Sequence, residues 1–348
     1  MKIRFPRPSR TARILKCCAA AATMAAVVAA QADSSVTIYG IIDQGVSRAF
    51  NGTTPNTLLP GKAQTGEKWT IKAGNTSRLG FRGQEDLGND AYARFQFEHR
   101  FAADTGAASN DKVFWLGRSV VAAGTKDLGE IYAGREYSAA YWVPLFADPT
   151  AWCCVSQLGT PYTYANYTAV AASVEASNIR WANSVGYKSV NLGGLTFELA
   201  TALGEGVRKR ATSGNAQYKQ GPLWLGVGFD QLDSQNNLAI LAGGYDFGMV
   251  FPTATYSKSE GGTKGDATAY SLSVRAPVSY GRVYASYGRL DTFREDKSKP
   301  DLGASRMLSA GTEYNLSKRS LLYFNAAAAK LDKQSRTSAL DFGLKLTF

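Results

Sequence analysis

The sequence predicts an all-β protein: a closed antiparallel transmembrane β-barrel of about 16 strands, with a long third loop folded inward. Three observations carry this expectation. The last nine residues alternate strictly, with Leu340, Phe342, Leu344, Leu346 and Phe348 apolar and Asp341, Gly343, Lys345 and Thr347 between them. That period of two gives a strand one greasy and one polar face. The same two-faced strand recurs along the chain, joined alternately by short turns and long loops, which is the rhythm of an up-and-down barrel. Finally, no stretch holds eighteen consecutive apolar residues, so no spanning helix is expected, whereas a barrel strand needs only every second residue apolar.

Closure follows from backbone chemistry. In hydrocarbon each unpaired peptide group costs several kcal/mol, so a spanning sheet must close on itself. Spanning strands need about nine to eleven residues, which matches these runs. A charge on the lipid face at mid-membrane costs about 2–4 kcal/mol. In these strands Arg and Glu fall mostly on the face opposite Phe, Leu and Val.

Residues 1–32 stand apart. Lys2, Arg4, Arg7, Arg10, Arg13 and Lys16 form a basic front, Ala19 to Ala30 is small and apolar apart from Thr23, and Ala30-Gln31-Ala32 offers a small-x-small cleavage site. These parts make a secretory signal, leaving residues 33–348 as the barrel domain. Its removal takes six of the 39 basic residues and no acidic ones, so the formal charge falls from +11 to +5. It also takes two of the four cysteines and leaves the neighbours Cys153 and Cys154. Adjacent cysteines pair only through a strained ring, so no disulfide framework is expected. With a single His in the chain, no metal site or cofactor is expected either.

The barrel domain opens on the β-prone run Ser35 to Asp43, followed by a polar loop over 51–66. From Trp69 to Arg82, Arg78, Gly80 and Arg82 share one face while Leu79 and Phe81 share the other. After a tight turn, Ala93, Phe95 and Phe97 oppose Arg94, Gln96, Glu98 and Arg100. A loop over 102–111 leads to a strand through Arg118, and a turn at 125–129 leads to a strand around Ile131 to Arg135. From 138 to 175 the pattern lapses. A structureless connection of that length is functional or disordered, and its many aromatics argue against disorder. It reads as a loop folded into the lumen. Strands resume near Asn178 and follow one another to Phe348, with a basic loop at 205–212 and strands at 216–219, 223–230, 238–245, 250–258, 270–275, 282–287, 307–314 and 321–331.

Other classes fit less well. The only His, His99, shares the parity of Phe95 and Phe97 and so faces outward, away from any Ser–His groove. No Gly-x-Ser-x-Gly, His-Glu-x-x-His or phosphate loop occurs, so an enzyme is not expected. Lys and Arg are scattered rather than gathered in a stripe, which argues against a nucleic-acid partner. The cluster Arg208-Lys209-Arg210 reads as a solvated loop or a contact for lipopolysaccharide phosphates.

Three segments carry a family resemblance: Ser34-Ser-Val-Thr-Ile-Tyr-Gly-Ile-Ile-Asp43, Ser77-Arg-Leu-Gly-Phe-Arg-Gly-Gln-Glu-Asp-Leu-Gly88 and Leu128-Gly-Glu-Ile-Tyr-Ala-Gly-Arg135. With the terminal Phe348, they resemble the general porins of Gram-negative bacteria, β-proteobacterial type. The resemblance implies a homotrimeric sixteen-stranded barrel in the outer membrane. Each monomer would be a water-filled pore for passive diffusion of small hydrophilic solutes and ions. It also implies that the third loop narrows the pore opposite a cluster of wall arginines, often favouring anions, and that Phe348 is read by the outer-membrane assembly machinery.

Carried over residue by residue, Arg78 lies in the Ser-Arg-Leu-Gly motif with lumen parity. Arg118 precedes the Leu128-Gly motif by about ten residues, and Arg180 opens the strand after the long loop. Arg82 and Arg100 share lumen parity, while the facing of Arg135 is left open. The family's loop carries several carboxylates. Here Asp148 is the sole acid between Glu136 and Glu175, which tilts the expectation toward anions. The rival reading is a substrate-specific channel for a sugar or organic anion, with Tyr141, Trp142, Phe146, Trp152, Tyr162, Tyr164 and Tyr167 as stacking platforms.

Overall fold

The computed structural model describes residues 35–50, 68–165, 167, 179–206, 210–233, 236–261, 266–293, 303–332 and 335–348. The expected leader over 1–32, the loop at 51–66, the far part of the long loop at 168–175, and Arg208 and Lys209 lie outside them.

Among the described residues seventeen strands run in chain order: β1 (Ser35–Phe50), β2 (Lys68–Lys72), β3 (Ser77–Gly88), β4 (Ala91–Phe101), β5 (Arg118–Thr125), β6 (Gly129–Tyr137), β7 (Arg180–Lys188), β8 (Leu195–Ala202), β9 (Ala211–Gln220), β10 (Leu223–Gln231), β11 (Asn236–Tyr245), β12 (Phe251–Gly261), β13 (Asp266–Val278), β14 (Gly281–Phe293), β15 (Ser305–Asn315), β16 (Ser320–Leu331) and β17 (Thr337–Thr347). Both β2 and β3 pair with β1, at its far and near halves, so they form one interrupted wall strand. That gives sixteen staves, each antiparallel to its sequence neighbour. The ring closes where β17 pairs with β1, from Ile41 opposite Thr347 to Phe50 opposite Ser338. Every stave thus has two partners, as a sheet in lipid requires.

Side chains are sorted in the reverse of a soluble core. On β10, Leu225, Val227 and Phe229 are 46%, 48% and 43% exposed, whereas Trp224 and Asp230 are 2% and 1% exposed. On β17, Phe342, Leu344 and Leu346 face out while Asp341 is buried inside. The greasy face therefore covers the outside of the cylinder, where only lipid rewards it.

The long loop fills part of the lumen. It begins with a 3-10 turn (Ala139–Tyr141) and continues as α1 (Trp142–Ala147) and α2 (Gly159–Thr163). The opposing wall offers it small residues. A Cβ on Gly228 would lie 3.2 Å from the Ala140 Cα, and one on Gly288 would lie 2.6 Å from the Tyr162 ring. Two apolar clusters result. Val143 and Ala147 of α1 pack with Leu238, Ile240 and Ala242 of β11, and Leu158 and Tyr162 pack with Ala267, Ala269, Leu290 and Met307. Polar anchors fix the rest: Asn215 donates to the Ala139 carbonyl, Thr253 to that of Ala147, and Ser259 to that of Ala165.

Three local expectations are corrected. The strand ending at Arg118 instead begins there, since residues 112–117 form a strap. Its apolar run lies on the greasy side of β3 and β4, with Phe114 stacked 4.3 Å from His99 and Trp115 5.4 Å from Phe97. The basic loop over 205–212 is shorter, because β9 starts at Ala211 and pairs fully with β8 and β10. Cys153 and Cys154 are joined as a disulfide despite their adjacency. Ala151, Trp152 and Cys154 take φ of 51°, 60° and 70°, and this left-handed winding turns the two side chains toward each other.

Candidate functional site: the basic neck

Lumen parity stacks long side chains on the stretch of wall the loop leaves free. Arg78 on β3, Arg100 on β4, Arg118 at the head of β5 and Arg180 at the head of β7 line one cavity of 550 Å³, bounded on its far side by Tyr141, Trp142 and Trp152 of the loop. Four of the arginines named from sequence, Arg100 among them on parity alone, are thus brought together.

Each guanidinium is held in place. Arg118 Nε donates to Glu136 Oε1 at 2.8 Å and its Nη1 to Gln96 Oε1 at 2.8 Å. Arg100 Nε donates to Glu98 Oε1 at 2.8 Å. Arg78 Nη1 lies 3.9 Å from Glu98 Oε2, which also accepts from the Tyr39 hydroxyl at 3.2 Å. Tyr137 is the hub: its hydroxyl accepts from Arg180 Nη2 at 2.7 Å and from Arg100 Nη2 at 3.0 Å. Its ring lies 4.4 Å from the Arg180 guanidinium and 5.3 Å from that of Arg118. Arg78 Nε and Arg180 Nε, both buried, donate to no described residue.

Three of the four guanidiniums therefore meet the two carboxylates Glu98 and Glu136, Arg180 meets the Tyr137 hydroxyl instead, and Glu136 is further engaged by Lys188 Nζ at 3.3 Å. The surplus is positive. Partial burial keeps the field strong, since interactions in a low-dielectric wall are screened less than in bulk water.

The remaining sequence candidates lie elsewhere. Arg82 faces the lumen four residues along β3 toward the short turns, over the Tyr39 ring at 5.4 Å and beside Arg94 in a separate cavity of 350 Å³. Asp148 is not in the neck. It is 1% exposed inside the loop, accepting from Thr150 N at 2.8 Å, Thr150 Oγ1 at 2.6 Å and Leu158 N at 2.9 Å. Burial holds its carboxyl above the usual range, and these donors offset that only in part. Arg135 Nε donates to the Leu116 carbonyl at 3.0 Å, in the strap before β5. Phe348 exchanges two backbone hydrogen bonds with Gly40, 3.0 and 3.2 Å long.

Sequence parity missed Glu136 and Tyr137 as neck residues. Only one of two consecutive strand residues should face inward, but the register shifts between Gly134 and Glu136. A bulge of this kind re-aims side chains. Gly134, at φ 128°, is the one sequence signal for it. Of the seven loop aromatics, Tyr141, Trp142 and Trp152 border the neck, whereas Tyr162 and Tyr164 are fully buried. Among the described residues, no group of three or more His, Cys, Asp or Glu could hold a metal ion.

The fold is shared with solved structures. The anion-selective porin from Comamonas acidovorans superimposes with a TM-score of 0.74 at 24% identity, covering 91% of this chain and all of that one. A loop-deletion form of OmpT from Vibrio cholerae gives 0.66 at 15% identity, covering 90% and 99%. Among curated proteins, outer membrane porin protein 32 of Delftia acidovorans is 29% identical over 341 residues, which is 92% of this chain and 91% of that protein. An outer membrane porin protein of Bordetella pertussis is 25% identical over 92% of this chain and 96% of its own length. The Gram-negative porin profile matches residues 18–334. With its closed barrel, outward greasy face and loop-narrowed lumen, this chain belongs to the Gram-negative porins of the outer membrane.

Proposed function

We propose that the chain is an anion-preferring diffusion channel for small hydrophilic solutes and ions, working as a homotrimer. One observation carries the sign of the preference: four arginines gather where the lumen is narrowed, three of them on two carboxylates and the fourth on neither. Fixed cations around an aqueous neck attract anions and repel cations, and low-dielectric walls focus the field. Arg78, Arg100, Arg118 and Arg180 carry the preference. Arg82 adds to it nearer the short turns, and Asp148 serves the loop's own fold. The similarity to a protein described as an anion-selective porin supports this reading.

Catalysis is not part of it; the chain acts by letting solutes pass. Residues 1–32 serve as the export signal, and Phe348 as the mark recognised by the outer-membrane assembly machinery. The outward aromatics Phe81 and Phe97, which pack on Trp115 edge to face and tilted respectively, are suited with it to lipid or a neighbouring subunit. A second reading, a channel selective for one class of organic anion, draws support from Tyr141, Trp142 and Trp152 at the neck's edge.

The test is the zero-current potential of the refolded protein in a planar bilayer under a KCl gradient. It should have the sign of chloride preference. That preference should shrink toward 1 M salt, where the Debye length is about 3 Å rather than about 10 Å at 0.1 M. Cation preference at 0.1 M contradicts the reading. Light scattering of the detergent-solubilised protein should give three times the protomer mass, and saturable block by one organic anion acting at the neck favours the second reading.

A further inference from the structure

We propose that the lumen holds a second solute site, near the short turns and away from the neck arginines, built for a small aromatic carboxylate. It rests on the channel reading, since a solute reaches it through the lumen. The site is a cavity of 410 Å³ beneath α1, walled by residues at the short-turn ends of β9, β10 and β12–β14. That volume lies within the range of about 300–1,000 Å³ common to small-molecule sites.

Its apolar side is built from three rings on three elements. Phe146 of α1 lies 4.5 Å from the Trp224 ring and 6.1 Å, nearly perpendicular, from that of Phe251. Two cations overlie these rings. The Arg275 guanidinium is 4.4 Å from the Phe251 centroid and 5.3 Å from that of Phe146, and Lys219 Nζ is 5.6 Å from Phe146. Neither cationic side chain has a hydrogen bond or ion pair to another described residue. The third cation, Arg282, is taken up by Glu313 through two contacts of 2.7 Å, and Lys345 faces the same carboxylate at 3.9 Å. The remaining acid, Asp246, accepts from Gly248 N at 2.8 Å in its own turn. Asp246 keeps its charge and acts on Arg275 across the cavity, so Arg275 and Lys219 together leave a net positive charge there.

This arrangement differs from the neck, where every guanidinium already has a protein partner. A guanidinium stacked face-on over a ring keeps its N–H edge free. That edge can take a carboxylate with two parallel hydrogen bonds. The rings beside it offer edge or offset stacking to a ring on the same solute. A ringless acid would gain the first contact and not the second.

Titration calorimetry on the refolded, detergent-solubilised protein tests this, with benzoate as probe and acetate as ringless control. Benzoate should bind saturably where acetate does not. Arg275→Gln should weaken benzoate about tenfold, the effect of removing one charge-assisted bidentate contact. Phe251→Leu should erase the difference between benzoate and acetate. Arg118→Gln should leave benzoate binding intact. Chloride conductance of each variant reports insertion, and Arg275→Lys, which keeps the charge, stands in if Arg275→Gln fails to insert. Benzoate binding no better than acetate, or unaffected by changes at Arg275, overturns the proposal. So does loss in Arg118→Gln alone, which places the probe at the neck. None of these outcomes touches the zero-current potential, which judges the channel reading separately.

Discussion

The two sides of the lumen obey the same period of two and do opposite jobs. On β3–β7 the inward positions carry Arg78, Glu98, Arg100 and Tyr137, long polar side chains that reach one another and line the open lumen, with Glu136 buried behind them. On β10–β14 they carry Gly228, Thr253, Ser259, Ala267, Ala269 and Gly288, short side chains that let the loop press against the wall. Alternation decides which residues face inward. Side-chain chemistry, short or apolar on one wall and long and charged on the other, decides whether the wall holds a loop or holds charge. The asymmetry narrows the pore, because the loop is seated on one side and the arginines face it from the other.

The contrast can be broken from the seating side first. Gly288→Trp should have the largest effect, because a side chain there collides with Tyr162. Overpacking of this kind costs about 1–3 kcal/mol, and α2 must move into the lumen. Single-channel conductance should fall while the sign of ion preference stays. Unchanged conductance would mean that α2 is not seated on that wall.

Asp341→Ala should have a smaller effect. Asp341 accepts from Val155 N at 2.7 Å and from Asn325 Nδ2 at 2.8 Å. Its loss strands two buried donors at about 1–3 kcal/mol. Hydrogen exchange should speed up at Val155 and its neighbours and stay slow in β3 and β4. Equal acceleration in both regions would mean that the loop and the charged wall are not independent. Smallest of all should be the effect of Asp148→Asn on ion preference, since that carboxylate is sealed inside the loop. A shift in zero-current potential as large as that from Arg118→Gln would place it in the ion path after all.

Much of this was legible in the sequence because the decisive pattern is local. The strand from Leu340 to Phe348 announces its two faces by itself, and the turns and long loops alternate on the page. The positions of Arg78 and Arg118 followed from parity and motif. What parity could not show depends on contacts between distant segments. The bulge after Gly134 brings both Glu136 and Tyr137 into the neck. The strap around Phe114 mimics a strand in composition yet lies outside the sheet. Asp148 is expected at the constriction because the loops of the family the chain resembles carry carboxylates, but Thr150 and Leu158 enclose it. The vicinal disulfide needed left-handed backbone that no residue type there advertises.

The most direct test of the central claim, that the charged wall and not the loop sets the sign of ion preference, is the zero-current potential of Arg78→Glu combined with Arg118→Glu in a KCl gradient at 0.1 M. The potential should shift toward potassium, with conductance still showing an open pore. A potential equal to that of the unaltered channel would contradict the claim.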